Sequence, residues 1–229
     1  MGSLPDQLSA DLRDRLGLRR AVETGTYYGH TTAVLAGMFE EVVTVERADE
    51  FYERARQLLE PHSNVRQVKG HSGEALRTMD ARAGGTLYWL DAHWSGGETA
   101  GSDDPCPLIA ELDAIGTGDP NDCLLIDDAR EFASPPDDRW PTLVEVLDAV
   151  RRDRSGHYVT VVHDLVVAVP ESARDIVDTF GREHVWTVWE AGEKARGVKV
   201  PGPLLQRLQP VLRRLVPLRA RLGRLLGRG

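Results

Sequence analysis

Short apolar runs rich in β-branched residues alternate with amphipathic stretches along most of this 229-residue chain. That alternation restricts the fold more than any other feature. RRAVETG, EVVTVE, VRQVKG, GTLYWLDA and CLLIDDA read as buried strands. TTAVLAGMF, ADEFYERARQLLE, SGEALRTM, PLIAELDAI and TLVEVLDAVRRD carry helical spacing between and after them. Strand–helix repetition of this kind builds βαβ units, hence a mostly parallel sheet covered on both faces. YVTVVHDLVVAVP reads as two strands joined at His163–Asp164, an antiparallel pair closing the sheet. Residues 4–17, with Leu4, Leu8, Leu12 and Leu16 four apart, form an amphipathic helix ahead of it. The expected fold is α/β, Rossmann-like and doubly wound, over residues 1–200, with a separate basic amphipathic segment at 201–229.

The charge is unevenly placed. The whole chain carries a formal −8, but residues 201–229 hold seven arginines and no acid, leaving −15 on the first 200 residues. An acidic body argues against nucleic acid as the main partner. The N-terminal residues lack the apolar core of a signal peptide, and no uninterrupted apolar stretch is long enough to span a bilayer. Cys106 and Cys123 fit neither a disulfide framework nor paired zinc-ligand spacing. A cytoplasmic setting is therefore expected. The tail, with Leu204, Leu208, Leu212 and Leu215 at helical spacing and Pro210 and Pro217 dividing it, has three readings. It lies on an anionic membrane surface, docks on a partner or second subunit, or folds back on its own domain.

In doubly wound sheets ligands bind beyond the carboxyl ends of the strands. The residues read as standing there are Glu23, Glu46, Asp91, Asp127 and Asp128, all carboxylates. The turn VETGTYYGHTT has Gly25 and Gly29 but Tyr27 where a dinucleotide fingerprint needs its second glycine. A nicotinamide cofactor is a poor fit. A ligand with an ammonium and a carboxylate fits better, meeting Glu23, directly or through water, and the amides of the following helix. Glu46 stands 23 residues after Glu23, about where an acid accepts from ribose hydroxyls. GHSGEAL then places His71, Ser72 and Gly73 beside an adenine.

With these motifs the sequence resembles the class I S-adenosylmethionine-dependent methyltransferases, over about residues 18–170. The resemblance implies S-adenosylmethionine as cofactor, with Glu23, Thr24, Gly25, Thr26, Gly29, Glu46, Arg47, Ser72, Gly73 and Asp91 as its contacts.

LYWLDAHW and LLIDDAR end adjacent strands and bring Asp91, Asp127 and Asp128 together. Three carboxylates in one place call for a positive charge among them, and a hard cation such as Mg²⁺ answers that need. Asp91 followed later by the Asp127–Asp128 pair is similar to the metal-dependent O-methyltransferases that act on sugar hydroxyls in macrolide and aminocoumarin pathways. That resemblance implies Asp91, Asp127 and Asp128 as metal ligands and a saccharide or glycosylated acceptor. Where that branch carries an acid two residues after the first metal Asp, this chain has His93, the candidate general base. Its other readings are metal ligand, substrate contact or loop stabiliser. Trp94, Arg130 and Trp140 are weaker substrate-contact candidates, and 95–107 and 131–141 are candidate lid segments. A catechol-like acceptor and a non-catalytic S-adenosylmethionine-binding scaffold are the competing functions. A homodimer is compatible with the tail. The His163–Asp164 pair reads as a turn or a satisfied polar pair, since no nucleophile elbow accompanies it.

Overall fold

The computed structural model describes residues 4–79, 84–93 and 105–183. Trp94, most of the 95–107 segment, the expected boundary at 200 and the basic segment lie outside them. Seven strands form one sheet: β1 (Arg20–Thr24), β2 (Glu41–Glu46), β3 (Val65–Lys69), β4 (Thr86–Leu90), β5 (Cys123–Ile126), β6 (His157–Val162) and β7 (Leu165–Pro170). Their order is β3-β2-β1-β4-β5-β7-β6. β1 to β5 run parallel, while β7 is antiparallel to both β5 and β6. The sheet is thus Rossmann-like and mostly parallel, with the antiparallel pair that the His163–Asp164 turn implied.

The helices are α1 (Asp6–Leu16), α2 (His30–Met38), α3 (Asp49–Leu59), α4 (Ser72–Arg77), α5 (Leu108–Ile115), α6 (Ala129–Ala133) and α7 (Leu143–Asp153). Side chains alternate across each strand, so the sheet feeds two cores. Ala21, Val42, Leu87, Trp89, Leu125 and Val167 pack with Leu8 and Leu12 of α1 and Leu35 of α2. Leu90, Leu124, Ile126, Val166 and Ala168 pack on the other face against Leu112 of α5 and Val146 and Val150 of α7. Runs such as CLLI are buried on both faces, which is why they carry no polar alternation.

One reading of the sequence needs correction, and one element escaped it. Residues 131–141 are not an open lid: they begin inside α6, and Phe132 and Trp140 are buried in the second core. The apolar spacing of Ala129, Phe132 and Trp140 was hidden by the Pro and Asp residues between them. Residues 174–183 are helical and seat Ala173 and Val177 in the first core, an element the sequence pattern did not reveal.

Candidate donor and acceptor site

The strand register places the site. Thr24 pairs with Val45 and with Leu90, and Leu90 pairs with Ile126. One residue further along each strand therefore lines up Glu46, Gly25, Asp91 and Asp127 across four adjacent tips. Gly25 is required at the centre of this row. Its φ is +86°, and a Cβ there would stand 2.3 Å from the Asp91 carbonyl oxygen. The turn from β1 into α2 and the tip of β4 are in direct contact.

Glu46 faces the turn. Its carboxylate accepts from Tyr27 N at 2.9 Å and from Ala48 N at 2.7 Å. Burial pushes its pKa up, against the lowering effect of those amides. With the Arg47 amide also hydrogen-bonded to it, the carboxylate keeps about one of its four lone-pair directions for a ligand hydroxyl. Thr26 is buried, its hydroxyl 2.6 Å from that of Thr44. Arg47 is half-buried, and its carbonyl accepts from Lys69 Nζ at 2.8 Å. Ser72 and Gly73 open α4, where a Cβ on Gly73 would meet the Ala110 methyl at 3.1 Å. α4 and α5 are thereby held close.

Glu23 does not stand at a tip. It is the last but one residue of β1, 1% exposed, and turned into the α2 face. Thr32 and Thr44 both donate to its Oε2, Thr44 at 2.6 Å. Burial raises its pKa to about 7, with the two threonine hydrogen bonds opposing. Direct pairing of Glu23 with a ligand ammonium is thus corrected to support of the turn from beneath. Alternation along the strand is the reason: Thr24, not Glu23, projects toward α4 and α5.

At the other end of the row His93 sits between two carboxylates. Its Nε2 lies 2.5 Å from Asp128 Oδ2, and its Nδ1 lies 3.4 Å from Asp91 Oδ1. Burial disfavours charge on this imidazole, but the hydrogen bond to Asp128 and the negative Asp91 outweigh it, and its pKa rises. Burial would raise Asp128 too, yet its contacts with His93 and Arg130 bring it below the usual carboxylate range. Asp91 and Asp127 go the other way, raised first by burial; carboxylate neighbours add to the rise in both. Asp128 adopts φ +58°, a left-handed geometry that Asp tolerates, at the turn from β5 into α6.

Arg130 is held in place but stays half-exposed. Its guanidinium pairs with Asp128 and with Asp164, and its backbone N–H donates to Asp164 Oδ1 at 2.9 Å. The Trp140 ring lies 5.7 Å from that of His93 and forms a wall beside it. Glu111 and Asp164 were missed in the sequence. Glu111 hid inside a helix, two residues from Asp113 and among apolar residues. Asp164 was visible as a turn residue, but its grip on α6 depends on β7 lying next to β5.

The chemistry of Asp91, Asp127 and Asp128 fits a hard divalent cation, since all three donors are carboxylates and Asp127 Oδ2 is buried without a hydrogen-bond partner among the described residues. Their spacing does not yet enclose one: no group of three ligating side chains among the described residues is gathered around a common point. His93 and Arg130 supply the positive charge beside Asp128.

No protein-family model matches the sequence, and no curated relative does. Solved structures do resemble the fold. A candidate caffeoyl-CoA O-methyltransferase from Staphylococcus aureus superposes with a TM-score of 0.52 at 15% identity, over 74% of this chain and 84% of that one. The Rossmann-like fold is the one these solved structures share. A candidate methyltransferase from Streptococcus mutans, in complex with S-adenosylhomocysteine, gives 0.51 at 15% identity, over 74% and 99%. The O-methyltransferase from Bacillus cereus, also with S-adenosylhomocysteine, gives 0.50 at 17% identity, over 74% and 83%.

Proposed function

We propose that the protein is an S-adenosylmethionine-dependent O-methyltransferase acting on a hydroxyl of a saccharide or glycosylated acceptor, with a divalent cation at its reacting end. The observation that carries this reading is the row Glu46, Gly25, Asp91 and Asp127, with His93 and Asp128 at one end. It offers a ribose acceptor, a glycine turn and a polar reacting centre in the order such a transfer needs. The similar folds carry O-methyltransferase names, which supports the methyl-transfer part of this reading.

The sulfonium donor is already activated, so the protein's main task is alignment. The acceptor oxygen attacks the methyl carbon, the carbon–sulfur bond breaks, and S-adenosylhomocysteine leaves as a neutral thioether. The hydroxyl proton passes to His93 Nε2 when that atom is unprotonated and released from Asp128. Asp91, on the Nδ1 side, then orients the imidazole. Trp140 excludes water along one flank. A cation bound by Asp91, Asp127 and Asp128 would lower the acceptor hydroxyl's pKa.

Calorimetric titration with S-adenosylmethionine and S-adenosylhomocysteine, with and without Mg²⁺, tests the donor half; binding of neither sinks the proposal. Incubation with diol acceptors, read by mass spectrometry for the gain of one methyl, tests the other half. The flat wall of Trp140 beside His93 also suits a planar catechol, so catechols belong in the same panel. A protein that binds the donor and methylates nothing is a scaffold. Equal turnover in chelator and in Mg²⁺ removes the metal.

Among the described residues no helix is long and apolar enough to cross a membrane. For 201–229 we propose a peripheral contact, with an anionic membrane, a partner or a second subunit, from a cytoplasmic protein. Liposome flotation and sizing of the full chain against residues 1–200 distinguish these.

A further inference from the structure

Glu111 is a buried carboxylate beside the strand tips that no step above uses. It lies on α5 and is 1% exposed. The hydroxyls of Thr24 and Ser72 hydrogen-bond to it, while its Oε1 has no partner among the described residues. Thr24 Oγ1 is also 3.3 Å from the Asp91 backbone nitrogen. One carboxyl on α5 therefore reaches both halves of the site. Through Thr24 it touches the frame of the β1 and β4 tips. Through Ser72 it touches the start of α4, on the adenosine side.

A carboxylate buried without a cation is costly, and an interior site that keeps one gains most when a positive ligand arrives. Burial holds the Glu111 pKa up at about 7, with Ser72, Thr24 and the neighbouring His71 and His93 pulling it down. A sulfonium donor brings a fixed positive charge into this region, and its demethylated thioether product does not. We infer that Glu111 is a further donor-site residue: it positions the β1 tip against the start of α4 and supplies a buried counter-charge that favours a sulfonium donor over its neutral product. The inference rests on the proposed donor. No covalent bond changes; a proton leaves Glu111 for the solvent as the cation binds. His71 precedes α4 and His93 follows β4, while Asp91 and Glu23 belong to β4 and β1, so the effect is read as a difference between proteins.

The test is calorimetric titration of the full chain with S-adenosylmethionine and with S-adenosylhomocysteine at pH 6, 7 and 8, in buffers of different ionisation enthalpy. In the wild type the preference for the sulfonium compound should rise about fivefold across this range, with more protons released than on product binding. Glu111→Gln should bind the product within about twofold of wild type and lose most of that rise. If both compounds bind and Glu111→Gln matches the wild type in preference and proton release, the assignment is overturned and the donor reading stands. If neither compound binds the wild type, the donor reading falls and the role of Glu111 falls with it. Should Glu111→Gln lose its fold by circular dichroism, Glu111→Met replaces it. That variant keeps the length of the side chain without its charge, so it should also lose most of the rise with pH; keeping the full rise overturns the assignment.

Discussion

The two ends of β5 carry buried acids under opposite conditions. Asp122, just before the strand, accepts from Thr86 N at 2.8 Å, Asp119 N at 2.9 Å and Arg154 Nη1 at 3.2 Å. Asp122 and Arg154 are 2% and 3% exposed, and Arg154 Nη1 also donates to the Thr117 carbonyl at 3.0 Å. Asp127, just after the strand, is equally buried but keeps an oxygen without a hydrogen-bond partner among the described residues, and faces Asp91 and Asp128. The lower end spends its charge on holding the chain. The upper end gathers three acids about His93 and Arg130 and leaves Asp127 Oδ2 without a hydrogen-bond partner among the described residues, and buried polar atoms of that kind call for an explanation beyond packing.

Breaking the lower pair should have the largest effect. Arg154→Ala leaves Asp122 buried and unpaired and should cost about 3–5 kcal/mol in urea unfolding, with ligand affinity per folded molecule unchanged. Next is Glu23, which behaves as an upper-end acid although it packs under α2. Its ordinary value is 4.5 and its folded value about 7, so the folded state favours the neutral form. That contribution is fully present below about pH 4.5 and is lost as the pH rises through about 7. Glu23→Gln should then gain up to about 3 kcal/mol at pH 8 and almost nothing at pH 4, by unfolding at the two pH values. No gain at pH 8 would show that the Thr32 and Thr44 hydrogen bonds hold Glu23 as an ion despite its burial.

Asp91→Ala and Asp128→Ala sharpen the comparison from the side of function. Each should lower methyl transfer at least about 100-fold while leaving S-adenosylmethionine affinity within about threefold. A loss of donor affinity matching the loss of rate would make these residues structural. The smallest effect belongs to Asp127→Asn, which removes an uncompensated charge at nearly constant shape. Its unfolding free energy should change by less than about 1 kcal/mol, and upward, in contrast to Arg154→Ala.

Sheet and strand tips were legible because double-sided burial writes itself as unbroken apolar runs, and each of the five parallel strands runs into a glycine or an acid within a residue or two. Asp91, Asp127 and Asp128 followed from that punctuation alone. Glu23 misled because a five-residue strand leaves its last turn of alternation ambiguous, and one step changes the face. Glu111 and Asp164 were illegible for a different reason. Their roles come from contacts across 39 and 34 positions of sequence, Ser72 to Glu111 and Arg130 to Asp164. Local pattern carries no trace of such partners. Trp140 reads as a weak substrate-contact candidate in a proline- and aspartate-rich stretch until Phe132 and His93 are placed around it.

The hairpin turn at His163–Asp164 also sets an order of assembly. Asp164 accepts from the first turn of α6 and grips Arg130, which in turn holds Asp128. While the chain emerges from the ribosome, β1 to β4 and the glycine turn are available long before residues 165–170. Until β7 arrives, β5 is an open edge and α6 lacks its Asp164 contact. A nascent chain halted near residue 155 should therefore hold a donor turn without a formed acceptor end.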